Sequence, residues 1–82
     1  MLIRLKNATK KCVGTKQTLK ALETGKALTV FVAKDADPKV SDKVIELCNQ
    51  KHIECVFIDT MRQVGECCGI EIGAASAAIL KD

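Results

Sequence analysis

Lys16, Gln17 and Lys20 follow the pair Gly14-Thr15 in the stretch "CVGTKQTLKALETG", Cys12 to Gly25. Gly14 breaks the chain, Thr15 can cap a helix, Leu19 and Leu22 give it an apolar stripe, and Gly25 can stop it. At about 100° per residue, Lys16, Gln17 and Lys20 share one narrow arc of that helix, away from the leucines. Two ammonium groups and an amide therefore gather near a helix N-terminus, whose free N–H groups already favour anions. Such a set can hold phosphate oxygens. Lysine can also donate to guanine O6 and N7, and glutamine can pair with a base edge. Helix starts usually carry acidic residues, yet none precedes Glu23. The competing reading is a solvated, lysine-rich face with no ligand.

Three other groups bear on chemistry. Asp35 and Asp37 follow an apolar run in "AKDADP", as acids do in aspartate-based phosphotransferases, but that chemistry needs a Mg²⁺ site and further partners. The chain shows no such set, and N-capping accounts for Asp37. Cys67 and Cys68 are adjacent, which is neither redox Cys-x-x-Cys spacing nor the spacing of a tetrahedral metal site. His52 is the only histidine. No catalytic residue, metal or cofactor is expected. "GIEIG", Gly69 to Gly73, places Ile70 and Ile72 around Glu71 in a glycine-bounded loop. Those isoleucines either tuck under the loop or form an apolar ledge for a splayed base.

The elements that must position these residues follow from periodicity. Residues 2–9 can form a short helix and residues 15–24 the lysine-bearing one. "ALTVFVA", Ala27 to Ala33, is a nearly continuous apolar run, suited to a strand buried on both faces. Asp37 and Pro38 open a helix whose apolar face carries Val40, Val44, Leu47 and Cys48. Ile53 to Ile58 is a second strand, and Thr60 with Gln63 makes a capping box for a helix that ends at Gly69. Ala74 to Leu80 is a last strand of mainly small residues, against which a helix can pack closely. Lys10 to Val13 can add an edge strand. Strands alternating with helices predict an α/β domain with helices on both faces of a small sheet.

With 82 residues the chain is expected to be one domain. Its 48% hydrophobic and 28% charged residues suit a globular protein. No run approaches a membrane span and no signal-peptide pattern opens the chain, so a cytoplasmic location is expected. The five cysteines are odd in number and read as small core hydrophobes. Net charge is +3, unevenly spread. The first twenty positions hold Arg4, Lys6, Lys10, Lys11, Lys16 and Lys20 with no acid, whereas the rest holds seven basic and ten acidic residues. That asymmetry suggests a polyanionic partner. The only aromatics, Phe31 and Phe57, lie in apolar strands and are expected in the core, which disfavours a sheet that stacks bases on aromatic rings.

Taken in order and spacing, "VGTKQTLKALETG", "VFVAKDADP" and "VGECCGIEIGAASAAIL" resemble the ribosomal L7Ae family of kink-turn RNA-binding proteins, and most closely its short bacterial members. The resemblance covers nearly the whole chain. It implies a three-layer α/β/α sandwich around a mostly four-stranded mixed sheet. It also implies a non-enzymatic protein that binds kink-turns: bent duplexes with tandem sheared G·A pairs beside a short bulge. The RNA would be ribosomal or a structured regulatory RNA such as a riboswitch, with the ribosome as a possible setting and neither DNA nor membrane as a partner. By position, Gly14 and Thr15 would form the entry turn, while Lys16, Gln17 and Lys20 would reach bases or phosphates. Lys34 joins these RNA-binding candidates, and Ile70, Glu71 and Ile72 would cover the bulge nucleotides. Many archaeal and eukaryotic members carry Asn-Glu where this chain has Lys16-Gln17, an exchange that favours phosphate attraction. The alternative is a protein-interaction module on the same fold, without a specific RNA target.

Overall fold

The computed structural model describes residues 2–81. Its elements run α1 (Leu2–Asn7), β1 (Lys11–Val13), α2 (Thr15–Glu23), β2 (Ala27–Ala33), α3 (Pro38–Lys51), β3 (Glu54–Ile58), α4 (Met61–Cys67) and β4 (Ser76–Leu80). The four strands form one mixed sheet in the order β1-β4-β2-β3. β4 pairs antiparallel with both β1 and β2, and β2 pairs parallel with β3. The expected α/β/α sandwich is therefore present, with Lys11–Val13 as an edge strand.

The pleat explains the two cores. Along β2, Phe31 and Ala33 face one side with Leu5 of α1 and Val64 of α4. Val30 and Val32 face the other, against Ala21 and Leu22 of α2 and Val44 and Cys48 of α3. Neighbouring Ala77 and Ala78 of β4 divide in the same way. Small β4 residues leave room for helices on both faces of the central strand.

Several ends differ from expectation. The first helix stops at Asn7 rather than residue 9, and the third and last strands start at Glu54 and Ser76. β2 is not buried throughout: a register shift between Ala27 and Thr29 leaves Leu28 half-exposed. Phe31 is fully buried, but Phe57 is 50% exposed, contrary to expectation. Val56 and Ile58 turn into the core beneath α4, so the pleat turns Phe57 to the opposite face, at the end of an outer strand.

Two basic residues of the first twenty bind the fold together. The Lys11 ammonium donates to the carbonyls of Leu5 (3.2 Å), Lys6 (3.1 Å) and Cys67 (3.0 Å), at the C-terminal ends of α1 and α4. Arg4 donates to Thr29 Oγ1 and pairs with Glu54, both at 3.0 Å, which joins α1 to β2 and β3. The Arg4 guanidinium and the Thr29 hydroxyl hold the Glu54 carboxyl below its ordinary range.

Helix α3 opens as expected: Asp37 accepts from the Lys39 N–H (2.9 Å) and Pro38 is the first helical residue. It closes on His52, the one non-glycine residue with positive φ (56°) among the described residues. The Ile53 N–H returns to the Cys48 carbonyl at 2.9 Å. Glycine is the residue that occupies this left-handed position without steric cost. His52→Gly should raise stability by about 1 kcal/mol, seen as a Tm increase of roughly 4–8 °C by thermal melting. An unchanged or lower Tm would show that the imidazole makes a compensating contact.

Candidate RNA interface

The candidate residues lie on elements that come together at one end of the sheet, where β1, β2 and β3 end and β4 begins, with Lys20 a little farther along α2. Ser76 and Ala75 are the centre of that end. The Gly14 N–H donates to the Ser76 carbonyl (2.8 Å), and on the other side the Ala33 N–H donates to the Ala75 carbonyl (2.9 Å). The entry to α2 and the residue before Lys34 thus lie two strand spacings apart, roughly 10 Å. The loop Gly69–Gly73 leads into the same point through Ala74.

Gly14 turns the chain from β1 into α2 with φ 99° and ψ 151°, a conformation open essentially to glycine alone. It is also the N-cap residue. Thr15, expected to cap, is instead the first helical residue, and its Oγ1 accepts from Ser76 Oγ at 3.4 Å. The first turn of α2 has no side-chain cap and no acidic residue. Thr18, Ala21 and Leu22 fix the buried face, which leaves Lys16, Gln17 and Lys20 exposed. Lys20 lies a little over one turn along from Lys16, and with Gln17 it lines a cleft of about 160 Å³ beside Cys12 and Leu80.

The opposite flank is built on α4. Thr60 Oγ1 accepts from the Gln63 N–H (3.1 Å), and Asp35 reaches across from the end of β2 to accept from the Met61 N–H (2.8 Å). Both aspartates of "AKDADP" thus serve helix N-termini. Helix α4 ends in a Schellman motif: Gly69 adopts φ 76°, its N–H meets the Glu66 carbonyl, and the Ile70 N–H meets the Gly65 carbonyl. The loop then runs back along α4 until the Ala74 N–H donates to the Met61 carbonyl (3.0 Å). Met61 and Gly65 are one turn apart, so the loop is tied to α4 at both ends.

Between those ties the loop lies directly on Gly65. A Cβ there would overlap the Ile72 carbonyl oxygen and lie 3.3 Å from Gly73 Cα. This contact separates the two isoleucines. Ile70 packs against the core, whereas Ile72 is 75% exposed and Glu71 is exposed beside it. Of the two isoleucines in "GIEIG", Ile70 therefore tucks under the loop and Ile72 is exposed to solvent.

Lys34 is exposed but not free. Its Nζ pairs with Asp59 Oδ1 at 3.3 Å, and its N–H donates to the Ile58 carbonyl. The cysteines lie among the core residues or against them. Burial pushes the Cys48 thiol up to about 12 and raises those of Cys12, Cys55 and Cys68, so these groups stay protonated at neutral pH. No group of three or more His, Cys, Asp or Glu among the described residues is placed to hold a metal ion. No helix there is long and apolar enough to cross a membrane.

Sequence reasoning missed Gly65 and Ser76. A glycine inside the short helix "MRQVGEC" was the available signal, because it costs roughly 1 kcal/mol against alanine and so asks for a packing reason.

The family model of the ribosomal protein L7Ae/L30e/S12e/Gadd45 family matches residues 2–82. The chain belongs to that family. It is 45% identical over 78 residues to an RNA-binding protein of Halalkalibacterium halodurans, covering 95% of each chain. It is 43% identical over 68 residues to the large ribosomal subunit protein eL8 of Halobacterium salinarum, covering 82% of this chain and 57% of that one. Among solved structures, the Giardia lamblia 15.5kD RNA binding protein superposes with a TM-score of 0.86 at 27% identity, over 99% of this chain and 68% of that one. In this member the L7Ae-family fold thus brings a glycine-entered helix and a helix-backed loop to the same end of the sheet.

Proposed function

We propose that this chain is a non-enzymatic RNA-binding protein that recognises kink-turns and stabilises the bent conformer, acting as a single domain over residues 1–82. The observation that carries the reading is the meeting, at the start of β4, of the exposed donors on α2 and the exposed Ile72 ledge. The names of its relatives agree with RNA as the partner.

An ordinary A-form major groove is too narrow to admit a helix end. A kink with non-Watson–Crick pairs opens it and turns guanine edges outward. In this reading Lys16, Gln17 and Lys20, all exposed, donate to those edges and to the flanking phosphates. Gly14 and Thr15 set their entry, and Ile72 with Glu71 covers the unstacked bulge while Ile70 holds the loop down. Lys34 contributes by exchanging Asp59 for a phosphate. Binding selects the kinked conformer because only that conformer satisfies both flanks at once. Ribosomal RNA and riboswitch-like regulatory RNA both offer such motifs, and either would place the protein in the cytoplasm.

The test compares a kink-turn duplex with the same duplex after its G·A pairs are made Watson–Crick. Strong preference for the first is expected, and equal affinity would refute the reading. Lys20→Ala should weaken binding to the kinked RNA by about 1–3 kcal/mol if Lys20 reads guanine. A loss visible only as a shallower salt dependence would make Lys20 a phosphate contact.

A further inference from the structure

The two flanks of α2 differ in electrostatic character: one is mixed in sign and the other cationic. Toward α3, Leu19 and Leu47 share a hollow with Glu23, Lys43 and Glu46, so charges of both signs alternate. Toward β1 and β4, the cleft is lined by Cys12, Gln17, Lys20, Ala21, Thr24, Lys26 and Leu80, with two lysines and no acid. Gln17 and Lys20 belong to the candidate interface. Lys26 does not: it follows Gly25, past the far end of the helix.

Backbone pairing places further lysines beside Lys26. The Lys81 N–H donates to the Lys26 carbonyl (2.8 Å), and the Leu80 N–H donates to the Lys10 carbonyl (2.9 Å). Lys10 and Lys26 therefore flank the end of β4, roughly 10 Å apart across it. Lys10, Lys20, Lys26 and Lys81 are all exposed, and no ion pair among the described residues engages any of them. Three surface cations elsewhere are paired, Arg4 with Glu54, Lys34 with Asp59 and Arg62 with Glu66. Lys39, Lys43 and Lys51, in no ion pair among the described residues, share α3 with Asp42 and Glu46, whereas the α2 cleft holds no acid.

We infer that Lys20, Lys26 and Lys10 form a second RNA contact, a phosphate track that leads from the candidate interface down the α2 cleft to the opposite end of the sheet. Its ligand is the sugar–phosphate backbone of the duplex arm that leaves the kink on the α2 side. The track reads no bases. It adds affinity in proportion to arm length, and it orients the protein so that one arm is held and the other is free. This inference rests on the kink-turn reading for where the RNA enters.

Salt dependence of affinity separates the track from the rest. The double variant Lys10→Gln/Lys26→Gln leaves the backbone pairing intact, and Lys43→Gln/Lys51→Gln removes the same charge from α3. Each is titrated, with wild type, against two kink-turn RNAs, one with long arms and one trimmed to the kink and its closing pairs. For the long-armed RNA, the Lys10/Lys26 variant should lower the slope of log K against log salt by about 2, near 1 per lysine. Its slope on the trimmed RNA, and both slopes of the α3 variant, should match wild type. Equal slopes for the Lys10/Lys26 variant and wild type on the long-armed RNA would overturn the track. So would an equal loss from the α3 variant, which would reduce the effect to net charge. A Watson–Crick long duplex bound as tightly as the kinked one would defeat the kink-turn reading instead, while the slope difference between variants would still report on the track.

Discussion

Gly65→Ala should dislodge the loop that carries Ile72 and lower both stability and RNA affinity. The added methyl has no space, because it overlaps the Ile72 carbonyl oxygen and lies 3.1 Å from the carbonyl carbon. Those are backbone atoms and cannot rotate aside. The loop is held on either side of the overlap by the Ile70-to-Gly65 and Ala74-to-Met61 hydrogen bonds, so it cannot shift without breaking one. Overpacking of this kind costs about 2 kcal/mol. Helix propensity offsets about 1 kcal/mol of that, so the expected net loss is about 1 kcal/mol, a Tm lower by roughly 4–8 °C for a domain of this size. Affinity for a kinked RNA should fall about tenfold, the equivalent of 1.4 kcal/mol. Ile72→Ala provides the contrast. At 75% exposure its truncation should leave Tm nearly unchanged, within about 0.5 kcal/mol, yet weaken the same RNA. A Gly65→Ala protein with wild-type Tm and affinity would mean that the loop is not seated on α4 in solution.

The same contact marks where reading from sequence stops. Periodicity located every strand and helix because each segment agrees with its own local signals: Asp37-Pro38 before α3, Thr60 and Gln63 at α4, and apolar runs for β2 and β3. The glycine–threonine turn and the lysines behind it were legible for the same reason, since they are neighbours in the chain. Phe57 was misplaced because its burial depends on strand order. An apolar residue in a central strand is covered twice, and one in an outer strand need not be. Nothing within "ECVFI" reports that the strand lies at the edge. Ile70 and Ile72 could not be separated either, since what distinguishes them is the surface of α4 beneath the loop. Charge asymmetry was a sound observation with a mixed origin. Of the six basic residues that opened the chain, Arg4 and Lys11 are engaged within the fold, and Lys16 and Lys20 face the candidate interface.

Lys11→Met should cost stability and leave RNA electrostatics alone. Methionine keeps much of the aliphatic stem, so packing is largely preserved and the ammonium is what is removed. That ammonium meets three carbonyls at 3.0–3.2 Å, two at the end of α1 and one at the end of α4. Helix C-termini carry partial negative charge, so one cation here serves two helices on the same side of the sheet. Charged hydrogen bonds contribute more than neutral ones, and losing this group should cost about 2–3 kcal/mol. A Tm lower by roughly 10 °C or more is expected in thermal melting. The slope of log K against log salt for kinked RNA should remain that of wild type, in contrast to Lys20→Ala, where loss of a phosphate contact would lower it by about 1. The two substitutions remove the same charge from neighbouring parts of the chain, so net charge cannot account for a difference between them. If Lys11→Met instead kept its Tm and lost salt dependence, Lys11 would be a phosphate ligand, and the ends of α1 and α4 would hold together without it.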